Sequence, residues 1–444
     1  MLVCPVLRPA SQRAFLGGGG SRVRTLQIAT RCVMLLAVPL MAGLAAVGVI
    51  GLMPTAVPAA AAASIAPTQK GTTVRHGELE AVTCLSAKEC TAVGGDPRGA
   101  LAEKWNGKKW VVEPAPPGPG TNHFLSAVSC TSATACTAVG SYTAKSRKEV
   151  ALTLADRWNG KAWTHEPTPN PAGTTLAELL GVSCSSATAC TAVGDYAAPG
   201  KPELTLAERW NGKKWVIEAT PRPKGTVTSG LSSVSCSSAT SCVAVGNYDS
   251  TKLAGPFALV EGWNGKKWAY ALPPNPKGAC TAHPPPYKPG CTVDSEFLGV
   301  SCTSVKACTA VGEYVPFSAT SFPPPRTLAE DWNGMNWTIE SSPSPKGRTK
   351  YIQPPPLNTV SCTSAKACTA VGRYVNNSGI SETLAEGWNG TKWVIEPTPK
   401  ISTGSALSGV SCKSSRCTAV GSQHLTRVET LAEGWNGKKW AIEP

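Results

Sequence analysis

Histidine is nearly missing from this chain, with five among 444 residues, and charged side chains make up only 16% of it. His76 and His165 fall in strand-like or flanking contexts, while His123, His283 and His424 fall in loops. No spacing among them builds the convergent set that a metal or acid–base centre needs. Other absences narrow the chemistry further. No G-x-S-x-G turn offers a nucleophile elbow. No arginine cluster with S-x-D-x-G-x-x-W turns marks a sialidase-like site, and no C-x2-C pairs are placed to share a zinc ion. Gly17–Gly20 lack the following Lys-Ser/Thr of a phosphate loop. Beyond the N-terminal leader, no stretch keeps a helical period over ten or more residues. The expectation is therefore no catalytic residue, no metal and no cofactor.

What is present points to strands and turns. Gly and Pro number 43 and 38, and the low charge makes the chain too apolar for a disordered one. Length alone suggests about three domains, a soft prior. The formal charge is +14, of which Arg8, Arg13, Arg22, Arg24 and Arg31 supply five, leaving +9 beyond the leader. That surplus aids solubility or weak contact with polyanions and carries no information about fold. Residues 33–53 are 21 consecutive apolar positions, followed by the small-residue run AVPAAAAAS. This arrangement predicts a secretory signal over residues 1–63, cut near Ala63. The apolar run is also long enough to span a bilayer, so an uncleaved anchor is the competing reading. Residues 64–76 then read as a linker. Either way the remainder is expected to be secreted or at the cell surface.

An internal repeat organises residues 77–444. One unit reads LSAVSCTSATACTAVGSY, then a variable gap, then TLADRWNGKAWTHEPTP, and it recurs seven times. Its cysteine pairs are Cys84/Cys90, Cys130/Cys136, Cys184/Cys190, Cys236/Cys242, Cys302/Cys308, Cys362/Cys368 and Cys412/Cys417. All fourteen tryptophans keep the same beat, from Trp105/Trp110 to Trp435/Trp440. Each unit holds four strand-length segments, as in Leu125–Cys130, Cys136–Tyr142, Thr153–Trp158 and Trp163–Pro167. The last two meet at Asn-Gly, a strong hairpin signal because both central turn positions favour positive φ. Seven units of four antiparallel strands predict an all-β, seven-bladed β-propeller.

The unit resembles a kelch-type blade. AVG-x-Y stands where kelch repeats carry a double glycine and an aromatic, and E-x-W-N-G-K-K-W stands where they carry Y-D-x-x-T-x-x-W. It is also similar to a Cys/Trp repeat of secreted actinobacterial proteins of unassigned role. The resemblance departs from kelch in its single glycine and in a turn two residues shorter. It implies fold only, since such propellers host both enzymes and binding modules. A kelch-type copper oxidase would need two histidines and two tyrosines converging over the channel. No spacing supports Tyr287 and Tyr142 in that role.

Eighteen cysteines in an exported chain read as a disulfide framework. The C-x5-C spacing places each pair on facing strands of one hairpin, and the unfolded-state argument gives about 2 kcal/mol per bridge. Cys280 and Cys291 bracket the insert CTAHPPPYKPGC and are expected to close a loop of their own. The paired tryptophans read as blade-to-blade packing rather than as sugar-stacking platforms, because one binding site would not recur in every unit. Lys108, Lys109, Lys213, Lys214, Lys266, Lys267, Lys438 and Lys439 read as solvated hairpin tips that discourage edge pairing, with a polyanion-binding ring as the alternative reading. The carboxylates beside each tryptophan pair (Glu103, Asp156, Glu208, Glu261, Glu330, Glu386 and Glu433) are expected to partner lysines or arginines across strands.

In a four-stranded meander the first and third turns leave on one face, and the second turn and the link between blades leave on the other. The first face then carries uniform turns and the second carries every variable loop. Variable loops on a rigid scaffold are where recognition sits. We therefore expect a non-catalytic monomer that binds an extracellular protein or glycan through the second face, with His283, Tyr287, His123 and His424 as contact residues. The alternative is a kelch-like extracellular oxidase or hydrolase. No nucleic-acid partner is expected, and membrane contact is expected only through residues 33–53 if these are uncleaved.

Overall fold

Every repeat folds as the alternation of its residues dictates. In the second repeat, a first strand Gly120–Ser132 pairs antiparallel with a second, Ala135–Ala144. That strand pairs with a third, Ala151–Trp158, which ends the meander on the short fourth strand Trp163–His165. The second strand is buried on both sides, with Cys136, Ala138 and Val139 all shielded. Small apolar residues suit a strand that is covered above and below. The Asn-Gly turn departs from the expected positive φ at both positions: only Gly160 has it, at 92°, in a four-residue loop between the paired Trp158 and Trp163, where the backbone N–H groups of Lys161 and Ala162 donate to Asn159 Oδ1 at 2.9 and 3.0 Å. Gly140 of the AVG triplet faces a bulge in the first strand between Leu125 and Ala127. A Cβ at Gly140 would collide with the Phe124 carbonyl oxygen, so only glycine fits.

The computed structural model describes residues 76–444 except 116–117, 146–149, 252–254, 279, 281–290, 318–323 and 346–356. The leader, its cleavage site and most of the linker lie outside these residues. Among the described residues there is no helix, and none long and apolar enough to cross a membrane.

The described strands form six sheets, five of four strands and one of eight. The eight-stranded sheet holds the second and third repeats, joined by a single parallel pairing of Ala151 with Leu176. There is no single core. Apolar clusters lie between successive sheets: Val93 and Ala102 of the first repeat pack on Leu125, Ala138, Leu154 and Trp163 of the second. The series closes on itself, since Val420 and Ala432 of the last repeat pack on Leu79, Ala92 and Leu101 of the first. First strands of neighbouring repeats touch all the way round, including first with last. The molecule is thus a β-propeller whose cores are the seams between blades.

Polar bonds stitch these seams. The N–H of Cys184 donates to Ser129 Oγ of the preceding repeat at 3.0 Å, and Cys236, Cys302, Cys362 and Cys412 do the same to Ser183, Ser235, Ser301 and Ser361. The ring closes with Cys84 N–H on Ser411 Oγ at 2.9 Å.

Candidate functional site: two unlike faces

The two turn types of each repeat share one end of the sheet. A Cβ on Gly160 of the Asn-Gly turn would meet Thr134 of the cysteine turn, and Trp158 Nε1 donates to the Ala133 carbonyl at 3.0 Å. The same neighbourhood recurs at Gly334 with Lys306 and at Gly390 with Lys366. Behind these tips sit the disulfides Cys84–Cys90, Cys130–Cys136, Cys184–Cys190, Cys236–Cys242, Cys302–Cys308, Cys362–Cys368 and Cys412–Cys417. Each is local to its repeat, with Cα atoms 3.9 to 4.0 Å apart.

These cysteines staple their own hairpins, as the spacing predicts, and they do more. The second cysteine of each pair also belongs to a seam, because the middle strand that carries it is covered on both sides. Cys90, Cys190, Cys242 and Cys368 are buried. Their Sγ atoms lie against threonine hydroxyls of the preceding repeat: Cys90 at 3.8 Å from Thr418, and Cys190, Cys242 and Cys368 at 3.6 Å from Thr137, Thr191 and Thr309. Cys417 meets Thr369 in the same way at 3.5 Å.

At the opposite end the loop and the link between repeats meet. Ala144 N–H donates to Val150 O at 2.9 Å, and Thr175 N–H to Ala197 O at 3.0 Å. This loop face holds the candidate residues that are described. His123 stands near the start of a first strand, its ring 6.2 Å from Tyr142, and Gly120 N–H donates to its Nε2 at 3.3 Å. Burial is the main cause lowering its pKa; His165 and Lys145 lower it further and Asp156 acts against them. The ring is therefore neutral near pH 7. His424 is exposed at the end of a second strand in the last repeat, with its N–H on Gly404 O at 2.8 Å. His123 and His424 thus belong to separate blades. His283 and Tyr287 lie outside the described residues. The base of their loop is described: Cys280 and Cys291 are bonded and buried. Cys280 N–H donates to Thr292 O at 2.7 Å, and Phe317 N–H to Cys291 O at 2.6 Å.

Two polar groupings on this face escaped the sequence reading. In the sixth repeat, Tyr374 O–H and Asn376 Nδ2 both donate to the Glu382 carboxylate, at 2.5 and 2.6 Å. Burial first, then Glu382, pushes Tyr374 up to about 12, and the same phenol chiefly holds Glu382 below its usual range. Between the fourth and fifth repeats, Asn247 Nδ2 donates to Glu296 Oε2 at 3.0 Å. Glu313, opposite Glu296 in register, is pushed up to about 9 by burial and then by Glu296 and Asp294, with Arg373 opposing. The available signal was the position after the glycine of AVG-x-Y, which holds Asp195, Asn247, Glu313 and Arg373. Among the described residues no group of three His, Cys, Asp or Glu side chains could hold a metal.

A second expectation is overturned inside the blades. Glu208, Glu261, Glu330, Glu386 and Glu433 do not partner lysines or arginines; they are fully buried in the seams. Burial pushes Glu208, Glu261, Glu386 and Glu433 up to about 8 and Glu330 to about 9. Hydroxyls of the preceding repeat act on three of them, Thr153 on Glu208, Ser342 on Glu386 and Thr383 on Glu433. Asp156 instead sits 3.3 Å from His165 Nδ1. The reason lies in the pleat: the carboxylate stands two residues after the buried leucine of T-L-A-E and shares its face, so it is turned into the neighbouring sheet. The cations occupy the other side of the third strand. Arg157 lies 4.6 Å over the Trp210 ring of the next repeat, and Arg209 lies 4.6 Å over Trp263. The tryptophans do pack as architecture, with Trp210 and Trp215 both buried and their centroids 5.9 Å apart.

No family model and no curated protein sequence matches the chain. Among solved structures it is similar to YCF48 bound to D1 peptide, at 10% identity and TM-score 0.44, over 83% of this chain and 96% of that one. It is similar to a puromycin-hydrolyzing peptidase of Mycobacterium tuberculosis at 9% identity and TM-score 0.48, over 84% and 53% of the two chains. A mutant of the Aleuria aurantia lectin in complex with Fucα1-6GlcNAc gives 9% and 0.41, over 84% and 97%. None of these likenesses carries a ligand or an activity to this chain, and none bears on the kelch-type or actinobacterial resemblance.

Proposed function

We propose that the chain is an extracellular, non-catalytic binding module, a seven-bladed and kelch-like propeller that recognises a protein or glycan through its loop face. Reading seven blades treats the eight-stranded sheet as two, because its halves are whole repeats held by one parallel residue pair. Eight disulfides fit an oxidising compartment. The observation that carries the functional reading is the inequality of the two faces. One end repeats the same short turns in every unit, whereas the other bears loops of different length and composition, one of them braced at its base by Cys280–Cys291. A braced loop loses less freedom on binding. His123, Tyr142 and the Tyr374–Glu382–Asn376 group supply polar and aromatic contacts there.

The test is a screen of the purified chain against glycan and peptide arrays. The screen is repeated with residues 281–290 deleted together with Cys280 and Cys291, and with His123→Ala. A ligand whose affinity falls at least about ten-fold in either variant, at unchanged melting temperature, supports the reading. Equal binding by both variants sinks it.

A further inference from the structure

We propose that the opposite face, formed by the hairpin tips, is a docking surface for an anionic lipid bilayer. This inference stands apart from the loop-face reading and rests on three observations.

The first is charge. Exposed cations crown the tips around the ring, among them Lys108, Lys213, Lys266, Lys366, Arg416 and Lys438. The described turns on this face hold one carboxylate, Glu89, and Lys104 already engages it at 3.4 Å. The other end carries both signs, with Glu296, Glu313 and Glu382 beside exposed Arg98, Lys201 and Arg427. The excess of positive charge therefore lies at the tip end.

The second is shape. Asn-Gly-x-x closes every repeat, and the cysteine turns have equal length except for the last, shorter by one residue. Equal turns on equivalent sheets end at one level, so the cations form a flat array. A planar anionic surface can meet all of them at once, whereas a single linear polyanion reaches only those along its path.

The third is the interruption of the cationic pattern. In the fifth repeat the Asn-Gly turn carries Met335 in place of lysine, 78% exposed, and the adjoining cysteine turn carries Val305, 56% exposed. The two turns touch through Gly334 and Lys306, and Trp332 Nε1 donates to Val305 O at 3.2 Å. An apolar tip raised among lysines suits shallow insertion below the headgroups, with Lys306 and Lys366 placed for the phosphates.

Each lysine held near an anionic membrane strengthens binding about five-fold, so the array suffices without a fitted pocket. The experiment uses the full chain carrying a polarity-sensitive fluorophore on Met335→Cys, or on Ser378→Cys at the loop face. Vesicles of equal parts phosphatidylglycerol and phosphatidylcholine are compared with phosphatidylcholine alone. The label at 335 should shift to the blue on the anionic vesicles only, and the label at 378 should stay silent. Adding salt should reverse the shift. Replacing Lys213, Lys214, Lys438 and Lys439 by serine should weaken it at least about ten-fold at unchanged melting temperature. A silent label at 335, an equal response to neutral vesicles, or indifference to the four substitutions overturns the proposal. Capture of soluble polyphosphate without any vesicle response overturns it too, in favour of a polymer partner.

Discussion

At the scale of single residues the seams decide stability. Trp210 is almost fully buried, stacked beside Trp215 and capped by Arg157 of the preceding repeat. Trp210→Ala removes the ring and leaves a cavity between two blades, so it should cost about 3–5 kcal/mol in denaturant unfolding. An unchanged midpoint would show that the ring is not architectural. That role was legible from recurrence alone, because a feature present in every unit cannot be one ligand site. The serine before the first cysteine in six of the seven repeats was not legible in the same way. Ser183 looks like any polar residue on a half-exposed strand. Only the ring geometry shows its hydroxyl accepting the N–H of Cys236 in the next blade. The second cysteines teach the same lesson, since spacing gives Cys242 its partner but not its place against Thr191 of the neighbouring blade.

At the scale of strands, four per repeat followed from turn chemistry and alternation, yet their lengths did not. The expected Leu125–Cys130 is in fact Gly120–Ser132. The extra residues pair with the loop-end part of the second strand, where the sequence pattern is irregular. The third strands hold the larger surprise, carboxylates turned into the seams. Period-two alternation already placed Glu261 on the face of Leu259, but the habit of pairing acids with nearby lysines hid it. Burial has a pH consequence with a definite sign. Glu261 is pushed up from 4.5 to about 8, so the folded state keeps a proton that the unfolded chain releases. Its contribution is fully present below pH 4.5 and is lost as pH rises toward 8. Stability should therefore be greatest in mild acid and fall steadily through neutrality. Glu261→Gln cannot ionise, and it should flatten the slope of unfolding free energy against pH by about 1.4 kcal/mol per unit across that window. A melting temperature that rises between about pH 5 and 8 would contradict this assignment.

At the scale of the whole molecule the question is where the ring opens. Among the described residues every disulfide is local to its repeat or its insert, and none spans the junction of the last repeat with the first. That junction is held by packing, by Cys84 on Ser411, by Gly77 N–H on Val428 O and by Trp110 N–H on Pro444 O. A cavity of about 190 Å³ lies there, lined by Cys84, Ser411, Thr418, Gly434 and Glu443 among others. Where Lys104, Arg157 and Arg209 reach over the tryptophan of the following repeat, the fourth, sixth and last repeats have Gly262, Gly387 and Gly434, and for the last the equivalent target is Trp105. Gly434→Arg should restore the stacked cation. The new Cβ would meet only the flexible end of Glu443, whose carboxylate can turn to pair with the guanidinium. A strand glycine is replaced at the same time, so the combined gain should be about 1–2 kcal/mol. Hydrogen exchange locates the effect: in the parent chain the strands Glu78–Ser86 and Ser405–Lys413 should lose protection before other first strands, and Gly434→Arg should slow them selectively. Uniform exchange round the ring, or a variant no more stable than the parent, would show that the closing seam is no weaker than the rest.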